Sequence, residues 1–526
     1  MSEQNVEEEH GLEAGQDNVR VIGLDVHNPV FFISAVVIVA FVIFALIFQD
    51  YASNALQGLS TWLQTTFDWV FMLSANLFVL FCLVVAVTPL GKVRLGGKEA
   101  VPEYSYAGWF AMLFAAGMGI GLMFFGVLEP MYHFNNPPLG AQAPVVDGEV
   151  VQSAVPRARE LAMAGTIYHW GLHPWAIYGV LALSLAFAAY NKGLPLSVRS
   201  VFYPIFGESI RGWIGHVIDI MAVFATLFGL ATSLGLGASQ AMAGLNELYG
   251  IPNTDLSTVI LILLITAVAL VSVLAGLDAG VKRLSEINMV LAILLLGFVI
   301  LVGPTVAIIT GFFENSWYYV KDFASFSNWI GREDEAFMHG WTTFYWAWWI
   351  SWSPFVGMFI ARVSKGRTVR EFITCVLLVP TMVSILWMTA FGGTAMDQFL
   401  NQGYMGVQDT VIDYVPELSL FAMLADLPLA AISSLIGIIL VIVFFVTSSD
   451  SGSLVIDTIT AGGKIDAPVA QRVFWCIFEG LVAVVLLLGG GLTALQAGAI
   501  ATGFPFAILL VVMLYATWKG LAAEER

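Results

Sequence analysis

Charge is scarce in this chain. Only 11% of its 526 residues are Asp, Glu, Lys or Arg, where a soluble domain carries about a quarter. With 59% hydrophobic residues and a mean hydropathy of +0.85, that scarcity excludes an ordinary water-soluble globule. Basic residues are scarcer still, 21 Lys and Arg against 38 Asp and Glu. A net charge of −17 excludes nucleic acid as a partner and argues against docking on anionic lipid. Acid collects in polar segments, such as Glu7, Glu8 and Glu9 near the N-terminus and Glu333, Asp334 and Glu335. The three cysteines, Cys82, Cys375 and Cys476, lie in apolar runs with no metal or disulfide spacing and read as small core residues. No low-complexity segment occurs. Nor is there a cleavable signal: the first 28 residues are polar and acidic, and the apolar run after them is too long.

What the chain does have is apolar length. Runs able to span a bilayer, about 20 residues each, lie near 30–48, 67–89, 107–128, 160–190, 213–240, 257–277, 285–312, 338–361, 371–395, 428–448, 469–489 and 494–518. Twelve membrane helices are therefore expected. Residues 1–28 form an acidic cytoplasmic tail, 29–518 one transporter-sized domain and 519–526 a short cytoplasmic tail. With both ends inside, seventeen Lys and Arg fall on the cytoplasmic side and four, Arg157, Arg159, Lys321 and Arg332, fall outside. This bias follows the positive-inside rule, and an odd number of spans would scramble it.

Two runs carry signs of interruption at membrane depth. The third contains Gly117-Met118-Gly119-Ile120-Gly121, and the eighth contains Ser351-Trp352-Ser353-Pro354. Matched breaks five helices apart point to two inverted repeats around a midplane site. Free N–H groups at Gly117–Gly121 could meet a carboxylate; close packing through small residues is the alternative. Outside the spans, Asn315 to Glu335 is rich in aromatics and reads as an amphipathic helix at the interface. The segment from Asn135 to Glu160 reads as a surface loop.

The densest signal is aromatic. The eighth run holds Trp346, Trp348, Trp349 and Trp352, then Phe355 and Phe359, at helical spacing. The fourth holds His169-Trp170-Gly171-Leu172-His173-Pro174-Trp175-Ala176-Ile177-Tyr178. Indoles favour the headgroup level, so this many at membrane depth suggests an aromatic cage. Such cages hold quaternary ammonium groups, which offer no hydrogen bond, by cation–π attraction. Thr447-Ser448-Ser449-Asp450-Ser451 in the tenth run would supply hard oxygen ligands for Na⁺ beside an unwound backbone; taken alone, these residues read first as back-bonding to the helix. For a proton-coupled mechanism the candidate buried acids are Asp219, Asp450 and Glu479.

These residues resemble a known family. Phe344 to Thr368, Gly117 to Phe124, His169 to Tyr178 and Thr447 to Gly452 are similar to the signatures of the betaine/choline/carnitine transporters, and the likeness covers roughly residues 25 to 518. The resemblance implies an all-α membrane protein with a LeuT-like 5+5 inverted-repeat core in spans three to twelve, preceded by two N-terminal helices. It assigns the substrate cage to Trp170, Trp175, Tyr178 and Trp349, with Trp348, Trp352 and Phe359 along the path and Gly117, Met118, Gly119 and Gly121 at the break. It assigns Na⁺ to Ala115, Met118, Phe444, Thr447 and Ser448, and a second Na⁺ to Thr226 and Phe355. This sequence departs at Leu230, where sodium symporters of the family can show a second hydroxyl.

Gly121 stands where choline-type members tend to carry Asp, which favours a zwitterion such as glycine betaine. Dimethylsulfoniopropionate, ectoine, proline betaine, choline and carnitine, and proton coupling, stay open. The resemblance implies a homotrimer in the bacterial inner membrane, surrounded by lipid, with Na⁺ as coupling ion and no other cofactor. An enzyme would need clustered catalytic groups, and only His169 and His173 pair at i, i+4. A betaine sensor without net transport is the reading from another class, and it would expect a signalling domain.

Overall fold

In lipid every backbone polar group must be satisfied within the segment or its sheet, so only helices and closed barrels span it. This chain takes helices. A computed structural model describes residues 13–117, 119–146, 148–275 and 281–524, so Glu7 to Glu9 and Met118 lie outside the described residues. The main helices are α1 (Val30–Ile47), α2 (Gln49–Thr66), α3 (Asp68–Val87), α4 (Tyr106–Gly117), α5 (Ile120–Asn135), α6 (Val155–Trp170), α7 (Leu172–Lys192) and α8 (Trp213–Tyr249). They continue with α9 (Asp255–Ala275), α10 (Val281–Val302), α11 (Thr305–Ser327), α12 (Phe344–Arg362), α13 (Val369–Asp397), α14 (Ala430–Thr460) and α15 (Val469–Ala523). Among the described residues nine helices are long and apolar enough to cross a membrane, or ten if α4 and α5, bent by 65°, make one span. At the centre α8 packs on α14 and α15, while α7 packs on α12.

Several expectations need correction. The eighth run is not broken: α12 passes through Pro354. Proline cannot donate to the carbonyl four residues back, and the Ser353 hydroxyl takes that carbonyl instead, Oγ to Ile350 O at 2.7 Å. In the tenth run, by contrast, the back-bonding reading holds. The helix α14 is continuous across Thr447–Ser451, and Thr447 Oγ1 donates to the Val443 carbonyl at 3.0 Å. Of the matched breaks, only the first exists.

The seventh run ends early, because Gly303 and Pro304 close α10 and open α11 at Thr305. The amphipathic helix is therefore Thr305–Ser327, and residues 328–334 are loop. Its buried face, Ile308, Gly311, Asn315, Tyr319, Asp322 and Phe326, follows the helical period. The opposite stripe of Val306, Ile309, Phe313, Trp317 and Val320 is exposed. Helix α2 was not expected. It is polar overall but repeats Ala52, Leu56, Leu59 and Leu63 at 4-3-4 spacing, and it lies against α15. There α15 bends at Gly490 and Gly491. Gly491, at φ +60° and ψ −138°, occupies a region that needs glycine.

A β-hairpin, β1 (Asn18–Val21) and β2 (Leu24–His27), precedes α1. It is pinned through Asp25, whose carboxylate accepts from Lys464 at 2.7 Å and Asn18 at 3.0 Å, while its amide donates to Gln471 at 2.6 Å. The Lys464 hydrogen bond holds the Asp25 carboxyl below its ordinary value, against the opposing effect of burial. A lowered carboxyl pKa stabilises above the usual value near 3.9 and loses that contribution as pH falls through the lowered value. Lys464→Met should therefore speed amide exchange across Asn18–His27 about fivefold at pH 7, an effect of about 1 kcal/mol typical of a partly exposed pair. The difference from the native chain should shrink as pH falls through the lowered Asp25 value.

Candidate functional site

Three local features bring the predicted rings together. The first is the gap between α4 and α5, where Gly119 is fully extended and Ile120 starts a new helix in another direction. The second is Gly171, which separates α6 from α7. The freed Leu172 N–H there is taken by Tyr319 of α11, N to Oη at 3.0 Å. The third is α12, whose period aims Tyr345, Trp348, Trp349 and Trp352 at the first two features.

The result is a cavity of about 50 Å³. Gly119, Gly121, Trp170, Trp175, Tyr178, Trp348, Trp349 and Trp352 line it, together with Ala116, Ile120, Leu122, Pro174, Ser233 and Ser384. No charged side chain is among them. Trp170 meets Trp349 edge to face at 4.9 Å and 77°, and Tyr178 meets Trp349 at 6.1 Å and 79°. Trp175 meets Tyr178 at 5.4 Å and 75°, and Trp348 stacks on Trp349 at 4.8 Å. Near-perpendicular rings present faces to one shared space, the geometry a cation–π box requires.

Three of the indole nitrogens are tethered. Trp349 Nε1 donates to the His169 carbonyl at 2.9 Å, and Trp348 Nε1 to the Gly229 carbonyl at 3.3 Å. Trp170 Nε1 donates to Glu129 at 2.7 Å. Trp352 differs: its Nε1 is buried with no acceptor among the described residues. Gly121 is a close-approach glycine, since a Cβ there would stand 2.6 Å from Trp170 Cη2 and 3.0 Å from Trp348 Cη2.

Not every expected residue joins the cavity. Phe359, 36% exposed, lies beyond Pro354 and does not line it. Gly117 closes α4, and Met118 is outside the described residues. Of the sodium set, Thr447 and Ser448 sit half-buried on α14, Phe444 is buried one turn earlier and Ala115 is on α4. Thr226 lies on α8, packed against the helix of Phe355, and its hydroxyl donates to its own Ala222 carbonyl at 2.7 Å. Leu230 fills the space over Gly452.

The acids considered for proton coupling lie away from the cavity lining. Asp219 pairs with Arg199 at 2.5 Å, Asp450 accepts from Ser272 at 2.6 Å and Glu479 from Ser449 at 3.0 Å. That set was incomplete. Glu129, fully buried on α5, was missed. Its signal was a lone acid inside an apolar helix with His133 at i+4, the pattern that marks a functional group at membrane depth.

His169 and His173 do not share a site. His173 bonds Asn76 at 2.9 Å and stacks on Trp346, whereas His169 bonds Glu129 at 2.6 Å. Glu129, His133 and His169 do offer ligand atoms within 4.8 Å of one another, the one metal-competent cluster among the described residues. The three cysteines are free thiols.

Sequence comparison gives the family. The family model described as BCCT, betaine/carnitine/choline family transporter, matches residues 29–526. The chain is 60% identical to the glycine betaine/proline/choline transporter of Vibrio parahaemolyticus, over 97% of this chain and 94% of that one. It is 54% identical to glycine betaine transporter 1 of the same organism, over 97% of each. With the glycine betaine transporter OpuD of Bacillus subtilis the identity is 40%, over 95% of each. The chain is a membrane transporter, not an enzyme, and it belongs to the betaine/carnitine/choline transporter family.

Proposed function

We propose that this protein is a sodium-coupled importer of glycine betaine or a similarly methylated zwitterion. The observation that carries the reading is a four-ring cage, Trp170, Trp175, Tyr178 and Trp349, in a cavity lined by no charged side chain. Rings suit the trimethylammonium end, at roughly 1–2 kcal/mol each when desolvated. A micromolar ligand needs about 8 kcal/mol in all. The unpartnered Trp352 N–H and the main chain at the α4–α5 gap supply donors for the carboxylate end. An uncharged lining favours a zwitterion over choline, which gains from a carboxylate. The relatives' names are consistent with this substrate class.

The architecture that goes with this function has twelve spans in the inner membrane with both termini cytoplasmic. Within it, α4–α5 is the third span, α6–α7 the fourth and α12 the eighth, and α15 supplies two spans separated at Gly490–Gly491. Spans three to twelve make a LeuT-like pair of inverted repeats, and the exposed stripe of α11 is the contact surface of a trimer. In alternating access, Na⁺ at Ala115, Met118, Phe444, Thr447 and Ser448 orders the α4–α5 gap before the substrate seats, and half of the bundle then rocks inward. Each net charge moved inward gains about 2.3 kcal/mol per 100 mV.

Uptake of radiolabelled betaine by proteoliposomes, with Na⁺ and pH gradients imposed separately, tests the coupling. A Na⁺ gradient should drive accumulation and a pH gradient alone should not; the reverse would make the coupling ion a proton. Thr447→Ala should raise the Na⁺ concentration for half-maximal uptake about fivefold, the cost of one weak ligand, about 1 kcal/mol.

A further inference from the structure

One buried carboxyl orients two of the four cage rings, Trp170 and Trp349. Glu129 Oε2 accepts from Trp170 Nε1 at 2.7 Å and from the Tyr345 hydroxyl at 2.5 Å. Tyr345 in turn lies flat against Trp349, 5.8 Å between centroids at 19°. Glu129 Oε1 lies 2.6 Å from His169 Nδ1, and the carbonyl of that same His169 accepts the Trp349 indole N–H at 2.9 Å. Trp170, Tyr345 and Trp349 are therefore all oriented through one side chain that lines no part of the cavity.

The hydrogen bonds continue beyond His169. Its Nε2 is 2.9 Å from Thr342 Oγ1, and that hydroxyl is 3.1 Å from the Phe337 carbonyl, which can only accept. With the Thr342 proton on Phe337, His169 Nε2 is a donor. One proton shared between Glu129 and His169 Nδ1 then completes the chain and leaves the hub uncharged. No Lys or Arg pairs with Glu129 among the described residues; the ionisable groups beside it there are His169, the Tyr345 phenol and, at 3.4 Å, His133. An unpaired carboxylate so placed in the bilayer is costly.

We propose that Glu129 is the positioning residue of the cage and acts as an uncharged hydrogen-bond hub, not as a counter-ion for the substrate ammonium. The inference rests on the cage reading above. Its sharpest consequence is that glutamine can replace it. In Glu129→Gln the amide oxygen accepts from Trp170 and Tyr345, and the amide N–H donates to His169 Nδ1. Leucine satisfies none of these.

The test compares Glu129→Gln, Glu129→Leu and Tyr345→Phe in proteoliposomes. KM and Vmax for betaine are measured per inserted protein, and betaine Kd by indole fluorescence of the purified chain. Glu129→Leu should raise KM and Kd at least about tenfold, Tyr345→Phe about threefold, and Glu129→Gln should stay within about threefold of the native chain. A glutamine variant as impaired as leucine would overturn the proposal, because the charge would then be what matters. So would a leucine variant that loses only Vmax, or stoichiometric metal in the purified protein. If leucine prevents insertion, the glutamine and phenylalanine variants still decide. Normal betaine affinity after loss of Trp349 would instead sink the cage reading, whatever Glu129 does.

Discussion

Replacing Trp349 by alanine is expected to raise the KM for betaine by about thirtyfold, with Vmax per inserted molecule falling far less. Trp349 touches the other cage rings on two sides, Trp170 at 4.9 Å and Tyr178 at 6.1 Å, so it is the corner the box turns on. Loss of one desolvated indole face removes about 2 kcal/mol of cation–π attraction, which is about thirtyfold in affinity. Phenylalanine keeps a weaker face but forfeits the N–H held by the His169 carbonyl. Trp349→Phe should therefore fall between the two. Initial rates of labelled betaine uptake over a range of concentrations decide it, and near-normal affinity in the alanine variant would remove the cage.

Gly121→Ala should be nearly as damaging although it adds a single methyl group. The new carbon would stand 2.6 Å from Trp170 Cη2 and 3.0 Å from Trp348 Cη2, closer than atoms pack. Trp170 cannot yield freely, because its nitrogen is held by Glu129 and its face by Trp349. Relief must come from displacing a cage ring, and overpacking of this kind costs about 1–3 kcal/mol. Betaine affinity should fall at least about tenfold. Gly393→Ala, on α13 and outside the cavity lining, is the internal control. A Cβ there meets nothing within 4 Å, and its helical backbone suits alanine. Its uptake should stay within about threefold of native. Equal damage in both variants would mean that an added methyl in the bundle, and not the indole contact, sets affinity.

How far the chain could be read without coordinates depended on whether local pattern or distant partners decided each feature. Helix positions and the ring residues of α7 and α12 were legible, since apolar length and helical spacing are local properties. The cage itself was legible only as two aromatic clusters; their convergence depends on Gly171 and the α4–α5 gap. Pro354 suggested a break, but Ser353 supplies the missing bond, a compensation that a breaker rule does not contain. At Thr447 to Ser451 hydroxyl spacing suits both back-bonding and an unwound cation site, and the intact helix is the back-bonded case. Helix α2 escaped notice because its apolar stripe is narrow and its composition polar. Glu129 escaped because a single acid does not interrupt an apolar run, and its partners come from α6 and from α12, more than 200 residues away.

The continuity of α12 at Pro354 has a mechanical consequence. A helix that lacks one main-chain rung is softer there than elsewhere, and here the missing rung spans Ile350 to Pro354, past Tyr345, Trp348 and Trp349. The segment bearing those three rings can thus travel as one stiff plate while the part beyond the pivot tilts. Trp352 sits on the pivot itself, so bending there would move its indole relative to the other rings.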